Sequence, residues 1–106
     1  MITEIVSFTT PVGMTREQMI ADAEGTIARW SDYPGLVRKM YVWDAAARRG
    51  KGIYLWHSLA QAEQAHDEAW LGRAEQHGGN RPTIERYDCF MILENPGGAV
   101  TRVEAG

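Results

Sequence analysis

The sequence predicts an α+β fold of ferredoxin-like type, β-α-β-β-α-β, with a four-stranded antiparallel sheet carrying two helices on one face. Three observations lead there. Four β-rich apolar runs are each bounded by glycine or proline. Two stretches with apolar residues at helical spacing each follow a Ser/Thr-x-x-Gln pair of capping-box spacing. The connection between the two middle strands is too short for a parallel crossover, so those strands form an antiparallel hairpin. At 106 residues the chain is one domain with a core of its own.

The first strand is Ile2–Thr10, rich in Ile, Val, Phe and Thr, and Pro11-Val12-Gly13 ends it. Thr15 and Gln18 then open a helix over Thr15–Trp30, whose stripe is Met19, Ile20, Ala23, Ile27 and Trp30, with Gly25 a mild cost inside it. Tyr33-Pro34-Gly35 is a turn, and Leu36–Asp44 is the second strand. Ala45–Gly50 is a short basic connector into the third strand, Gly52–His57. Ser58 and Gln61 open a second helix that runs to about His77, with Leu59, Ala62, His66, Ala69, Trp70 and Arg73 near one stripe. Gly78-Gly79 stops it, since glycine accepts the left-handed cap. The fourth strand is Thr83–Glu94. The folded domain therefore spans residues 1–95, and 96–106, which begins Pro96-Gly97-Gly98, is a flexible tail.

Both faces of this sheet are apolar. In the second strand Leu36, Met40 and Val42 oppose Val37, Tyr41 and Trp43, and in the third Ile53 and Leu55 oppose Tyr54 and Trp56. Helices cover one face only, and the other would leave a large apolar patch in water. A homodimer packed sheet against sheet about a two-fold axis covers it.

Composition excludes several classes. One cysteine, Cys89, allows no internal disulfide and no cysteine-based metal cluster. A net charge of −3 gives no footprint for nucleic acid. Sheet-stacking RNA modules share the strand order but want a basic face. An acylphosphatase-like site would need an arginine-bearing loop after the first strand, and Thr9-Thr10-Pro11-Val12-Gly13 has no basic residue. No apolar run reaches the length of a membrane span, and the start does not read as a signal peptide, so a cytoplasmic location is expected. Gly50-Lys51-Gly52 reads as hairpin chemistry, because the rest of a phosphate loop is missing.

Four tryptophans and four tyrosines are many for so short a chain. His66 and Trp70 are four apart on the second helix and share a face. An imidazole there can take a proton from a phenol or hydroquinone, and the indole beside it can stack on a ring. The alternative is that His66 is a buried, hydrogen-bonded helix residue and Trp70 is core. Tyr41, Trp43, Tyr54 and Trp56 share sheet parity on adjacent strands; they either pack across the strands or line an aromatic pocket. His57 reads as a cap-adjacent or rim residue, and His77 as a partner of the helix dipole. His66 and His77 lie roughly 16 Å apart along one helix and cannot share an ion, so no metal site is expected. Arg38 and Lys39 must find opposite charges or a rim.

The sequence resembles the dimeric α/β-barrel superfamily that includes the antibiotic-biosynthesis monooxygenases, and within it the YdhR-like monooxygenases. The stretches that carry the likeness are Pro34-Gly35-Leu36-Val37-Arg38-Lys39, Gly52-Ile53-Tyr54-Leu55-Trp56, Glu68-Ala69-Trp70 with Arg73, and Pro82 through Cys89, together spanning roughly residues 1–95. The resemblance implies an oxygenase that needs no cofactor and acts on an aromatic or polycyclic small molecule in a pocket between sheet and helices. Trp56 followed by His66 also resembles a pattern in which a strand-end Trp precedes a helix His. The haem-degrading branch uses such a His on iron, with an Asn on the first strand; Ile2–Thr10 has no Asn.

Two functions are therefore expected to compete. In the first, His66 deprotonates an activated aromatic substrate that reduces dioxygen, Trp56 and Trp70 hold the ring, and Tyr41 or Tyr54 contributes a hydrogen bond. In the second, the same homodimer sequesters a small aromatic ligand without turnover. Haem binding ranks third.

Overall fold

The computed structural model describes residues 1–105. The sheet is built from β1 (Ile2–Thr9), β2 (Leu36–Asp44), β3 (Arg49–Trp56) and β4 (Thr83–Asp88). Its order is β2-β3-β1-β4, with every neighbouring pair antiparallel. The expected fold class is the observed one.

The register puts chemically unlike residues in single rows. Glu4 of β1 lies opposite both Arg86 of β4 and Tyr54 of β3, and Tyr54 lies opposite Lys39 of β2. One row on the helix-covered face therefore reads Arg86, Glu4, Tyr54, Lys39. The row beside it includes Ile84, Val6, Gly52 and Tyr41. An irregularity between Leu36 and Arg38 brings Leu36 opposite Trp56, so Leu36 joins the helix-covered face, whereas simple alternation puts it with Met40.

Both helices are broken where one run was expected. The first comprises α1 (Arg16–Glu24) and α2 (Ile27–Trp30). Thr15 and Gln18 form the capping box expected of them. Gly25 ends α1, and the Thr26 hydroxyl turns back to donate to the Ala23 carbonyl at 2.8 Å. The second comprises α3 (Leu59–Ala65) and α4 (Glu68–Gly78). His66 follows the last residue of α3 as its C-cap, in a non-helical conformation (φ −122°, ψ 65°), and the Asp67 carboxylate caps α4 by accepting from Trp70 N at 2.8 Å. His66 and Trp70 therefore do not share a helical face. A local carboxylate cap outcompeted continuation of the helix.

The fourth strand also divides. β4 ends at Asp88, and Met91–Glu94 (β5) leaves the main sheet to pair with Ala99–Arg102 (β6). The segment expected to fray thus forms a hairpin through Arg102; Gly106 lies outside the described residues.

The core is small and aromatic. Ile2, Val6, Trp30, Tyr54, Trp56, Ala62 and Ala65 are buried together. It sits under α3 and the end of α2, whereas α1 and α4 bury no residue fully. Gly35, at φ +83°, makes the turn into β2 and lies so close to the Gln61 amide that a side chain there would have to displace it.

Candidate functional site

Because α1 and α4 stand away from the sheet, a cavity of about 1010 Å³ opens between them and the strands. That is at the upper end of ordinary small-molecule sites, roughly 300–1,000 Å³. Its floor is the outer half of the helix-covered sheet face. Six aromatic residues line it: Phe8, Trp30, Tyr41, Trp43, Tyr54 and Trp70. Met19, Ile20 and Ala23 of α1 close one side.

Two glycines keep the floor low. A Cβ at Gly50 would meet the Phe8 ring at 2.5 Å, and one at Gly52 would meet the Tyr54 ring at 2.8 Å and Lys39 Cε at 3.2 Å. Their absence lets these side chains lie flat along the strands. Tyr41 is fixed from above by a 2.9 Å hydrogen bond between its hydroxyl and that of Thr26, at the break between α1 and α2.

Behind one wall lies a buried polar cluster. Glu4 has no solvent exposure. Its Oε1 accepts from Trp56 Nε1 at 2.9 Å and bonds His66 Nδ1 at 2.6 Å, while Oε2 accepts from Arg86 Nε at 2.8 Å. Burial pushes this carboxyl up, but the hydrogen bond and charge of His66, with the bonds from Arg86 and Trp56, outweigh it and hold the carboxyl below its ordinary value. The His66 ring is edge-on to Trp70 at 4.5 Å and to Tyr54 at 4.7 Å. Its Nε2 is buried with no hydrogen-bond partner among the described residues.

The sequence-expected site residues separate into two groups. Tyr41, Tyr54 and Trp70 line the cavity. Trp56 and His66, 0% and 2% exposed, belong to the core one layer behind it. The structure does bring His66 against Trp70 and Trp56, but through the core and not across a ligand site. With Nδ1 bound to Glu4 and Nε2 enclosed, His66 offers no nitrogen to an iron in the cavity. Among the described residues no group of three or more His, Cys, Asp or Glu side chains could hold a metal ion.

Sequence reasoning missed two residues. Glu4 has the parity of Ile2 and Val6 in an apolar central strand, which is where a lone carboxylate signals a buried partner. Lys39 has the parity of Tyr41, so its charge lies on the aromatic face. Its Nζ sits 4.9 Å from the Trp30 ring centre, 4.1 Å from Tyr41 and 4.7 Å from Tyr54. Burial, aided by the nearby Arg29 charge, pulls its pKa down to about 8. Burial also pushes the Tyr54 phenol up, with the Glu4 charge behind it adding to the effect. Arg38, by contrast, pairs with Glu94 of β5 at 2.7 Å on the surface.

The fold and the cavity together define a ferredoxin-like α+β protein with an aromatic-lined pocket between sheet and helices. A solved candidate antibiotic biosynthesis monooxygenase from Deinococcus radiodurans has this fold, with a TM-score of 0.61 and 12% identity over 92% of this chain and 100% of that one. A solved protein from Shewanella oneidensis has it too, with a TM-score of 0.59 and 20% identity over 81% of this chain and 87% of that one. At such identities the likeness is one of fold. No family model and no curated protein matches the chain.

Proposed function

We propose that the protein is a YdhR-like monooxygenase that needs no cofactor and oxidises an aromatic or polycyclic small molecule in the cavity between sheet and helices. The observation that carries this reading is the six-aromatic wall around a volume fit for two or three fused rings. The substrate supplies the electrons. An activated ring CH2 releases one proton to water, the resulting anion gives one electron to dioxygen, the two radicals join in a C–O bond, the peroxide takes a proton back from water, and the hydroperoxide loses water with the carbon's second hydrogen to leave a carbonyl. One oxygen atom enters the product and the other leaves as water.

In this reading Trp70, Tyr54 and Tyr41 touch the ring system. Trp56 supports Tyr54 from behind, their rings nearly parallel with centres 5.9 Å apart. His66 is a positioning residue: anchored by Glu4, it fixes the edges of Trp70 and Tyr54. The protein contributes orientation and exclusion of water.

The working unit is a homodimer formed through the open sheet face, where Met40, Val42 and Tyr87 are exposed beside half-buried Ile5, Ile53 and Leu55. A second copy of the same apolar face is its simplest partner. Among the described residues no helix is long and apolar enough to cross a membrane. A single cysteine fits a reducing, cytoplasmic setting.

Oxygen-electrode measurements with anthrones and hydroquinones test the activity. Uptake above the uncatalysed rate is expected, with Trp70→Ala lowering kcat/KM by about tenfold or more through lost ring contact. No uptake with any of them would sink the oxygenase reading. The enclosure of His66 favours a second reading, sequestration without turnover; a ligand that raises Tm without consuming oxygen identifies it.

A further inference from the structure

The chain as a whole is acidic, yet its cavity is cationic. The charged residues that line it are Arg16, Arg29, Lys39, Arg48, Lys51 and a single carboxylate, Asp22. Arg48 is committed to the backbone, donating to the Thr10 carbonyl at 3.1 Å. Lys39 and Arg29 are not. Among the described residues neither forms an ion pair, although Arg38, Arg81 and Arg86 all do.

Instead both cations converge on one indole. Lys39 Nζ and the Arg29 guanidinium carbon each lie 4.9 Å from the Trp30 ring centre. Ring faces stabilise a cation only in part, and two like charges beside one ring repel. Arg29 is exposed but Lys39 is half-buried, and a cation withdrawn from water to that degree is normally matched by a carboxylate. Here what faces the pair is the aromatic cavity.

We propose that the cavity takes aromatic organic anions, with Lys39 as the charge that selects them and Arg29 reinforcing it. The flat ring would lie against Tyr41, Tyr54 and Trp70 while its carboxylate or phenolate oxygen meets Lys39 Nζ. This rests on the reading of the cavity as the substrate site. It deepens that reading, because the electron-rich form of a phenol or enol is its anion.

The groups that face Lys39 are Arg29 from α2, Tyr41 from its own strand and Tyr54 from β3, with Glu4 behind Tyr54. Arginine carries its charge throughout the working range. Anion affinity should therefore follow the Lys39 ammonium, falling as pH rises through about 8.

Calorimetric titration with 2-naphthoate and its neutral isostere 2-naphthamide tests this. The naphthoate should bind about tenfold or more tightly than the amide at pH 7. Lys39→Met should erase that preference while changing amide affinity less than about threefold, and Lys39→Arg should retain it. Equal affinity for the two ligands, a preference that survives Lys39→Met, or no saturable binding of either would overturn the proposal. Oxygen uptake does not enter this measurement. Loss of the anion preference and loss of the oxygenase reading are thus separate outcomes.

Discussion

Glu4 is the residue on which most of the buried polar structure depends. Its two oxygens hold an indole, an imidazole and a guanidinium from three other elements. Replacing it by Gln removes the charge and opposes an amide N–H to at least one of those donors. Glu4→Gln should destabilise the fold by about 3 kcal/mol, a large share of the roughly 5–15 kcal/mol typical of a domain, measured by urea unfolding at pH 7. The pH dependence has a definite sign. The carboxyl is held below its ordinary value in the fold, so its contribution is present above the unfolded value, 4.5, and is lost as pH falls through the folded one. The wild type should thus lose stability on acidification below pH 4.5, and the difference from Glu4→Gln should shrink with it. At this scale the sequence was half legible. Trp56 and His66 were readable as neighbours, and the structure has them so; their common partner sits 52 residues before Trp56, and only its parity marked it. His66 was legible as a residue of consequence but not as an enclosed one, since nothing in the spacing of residues reveals the depth of a wall.

The elements differ from their sequence outlines mainly at breaks. Periodicity carries apolar residues across Gly25-Thr26 and across His66-Asp67 without a gap, so each helix reads as one. The breaks are set by short-range chemistry that periodicity does not register: a threonine hydroxyl bonding back to Ala23, and an aspartate capping the helix after it. The Asp67 break matters most, because it turns Trp70 toward the cavity while His66 stays in the core. Asp67→Ala should cost about 1 kcal/mol of stability by loss of the cap, visible as a lower urea midpoint. It should also weaken 2-naphthamide binding by loosening Trp70; unchanged binding would separate the cap from the wall. The expected twelve-residue fourth strand was legible only to Asp88. Beyond it the chain keeps its β propensity but changes partner, a choice made by β6 and not by the strand itself.

For the molecule as a whole, the order of β-rich and helical runs carried the fold class, and apolar residues at both parities of the strands carried the two-faced sheet. One face is covered by helices and the other is open, with Met40, Val42 and Tyr87 exposed. The β5–β6 hairpin adds Phe90, Met91, Leu93 and Val100 to the apolar surface. Sedimentation at micromolar concentration should give twice the mass of the 11.9 kDa chain, and Met40→Lys with Val42→Lys should return it to one. A wild type that sediments as a single chain would remove the sheet-to-sheet dimer.

The distance that α1 and α4 keep from the sheet has a further thermodynamic meaning. Two of the helices that should complete the core instead border a space of about 1010 Å³. An occupant of that space would bury apolar surface that the chain alone leaves wet. Its rings would then do the work that leucines and isoleucines do in a filled domain. A bound ring system would on that account raise the stability of the fold as a buried core residue does.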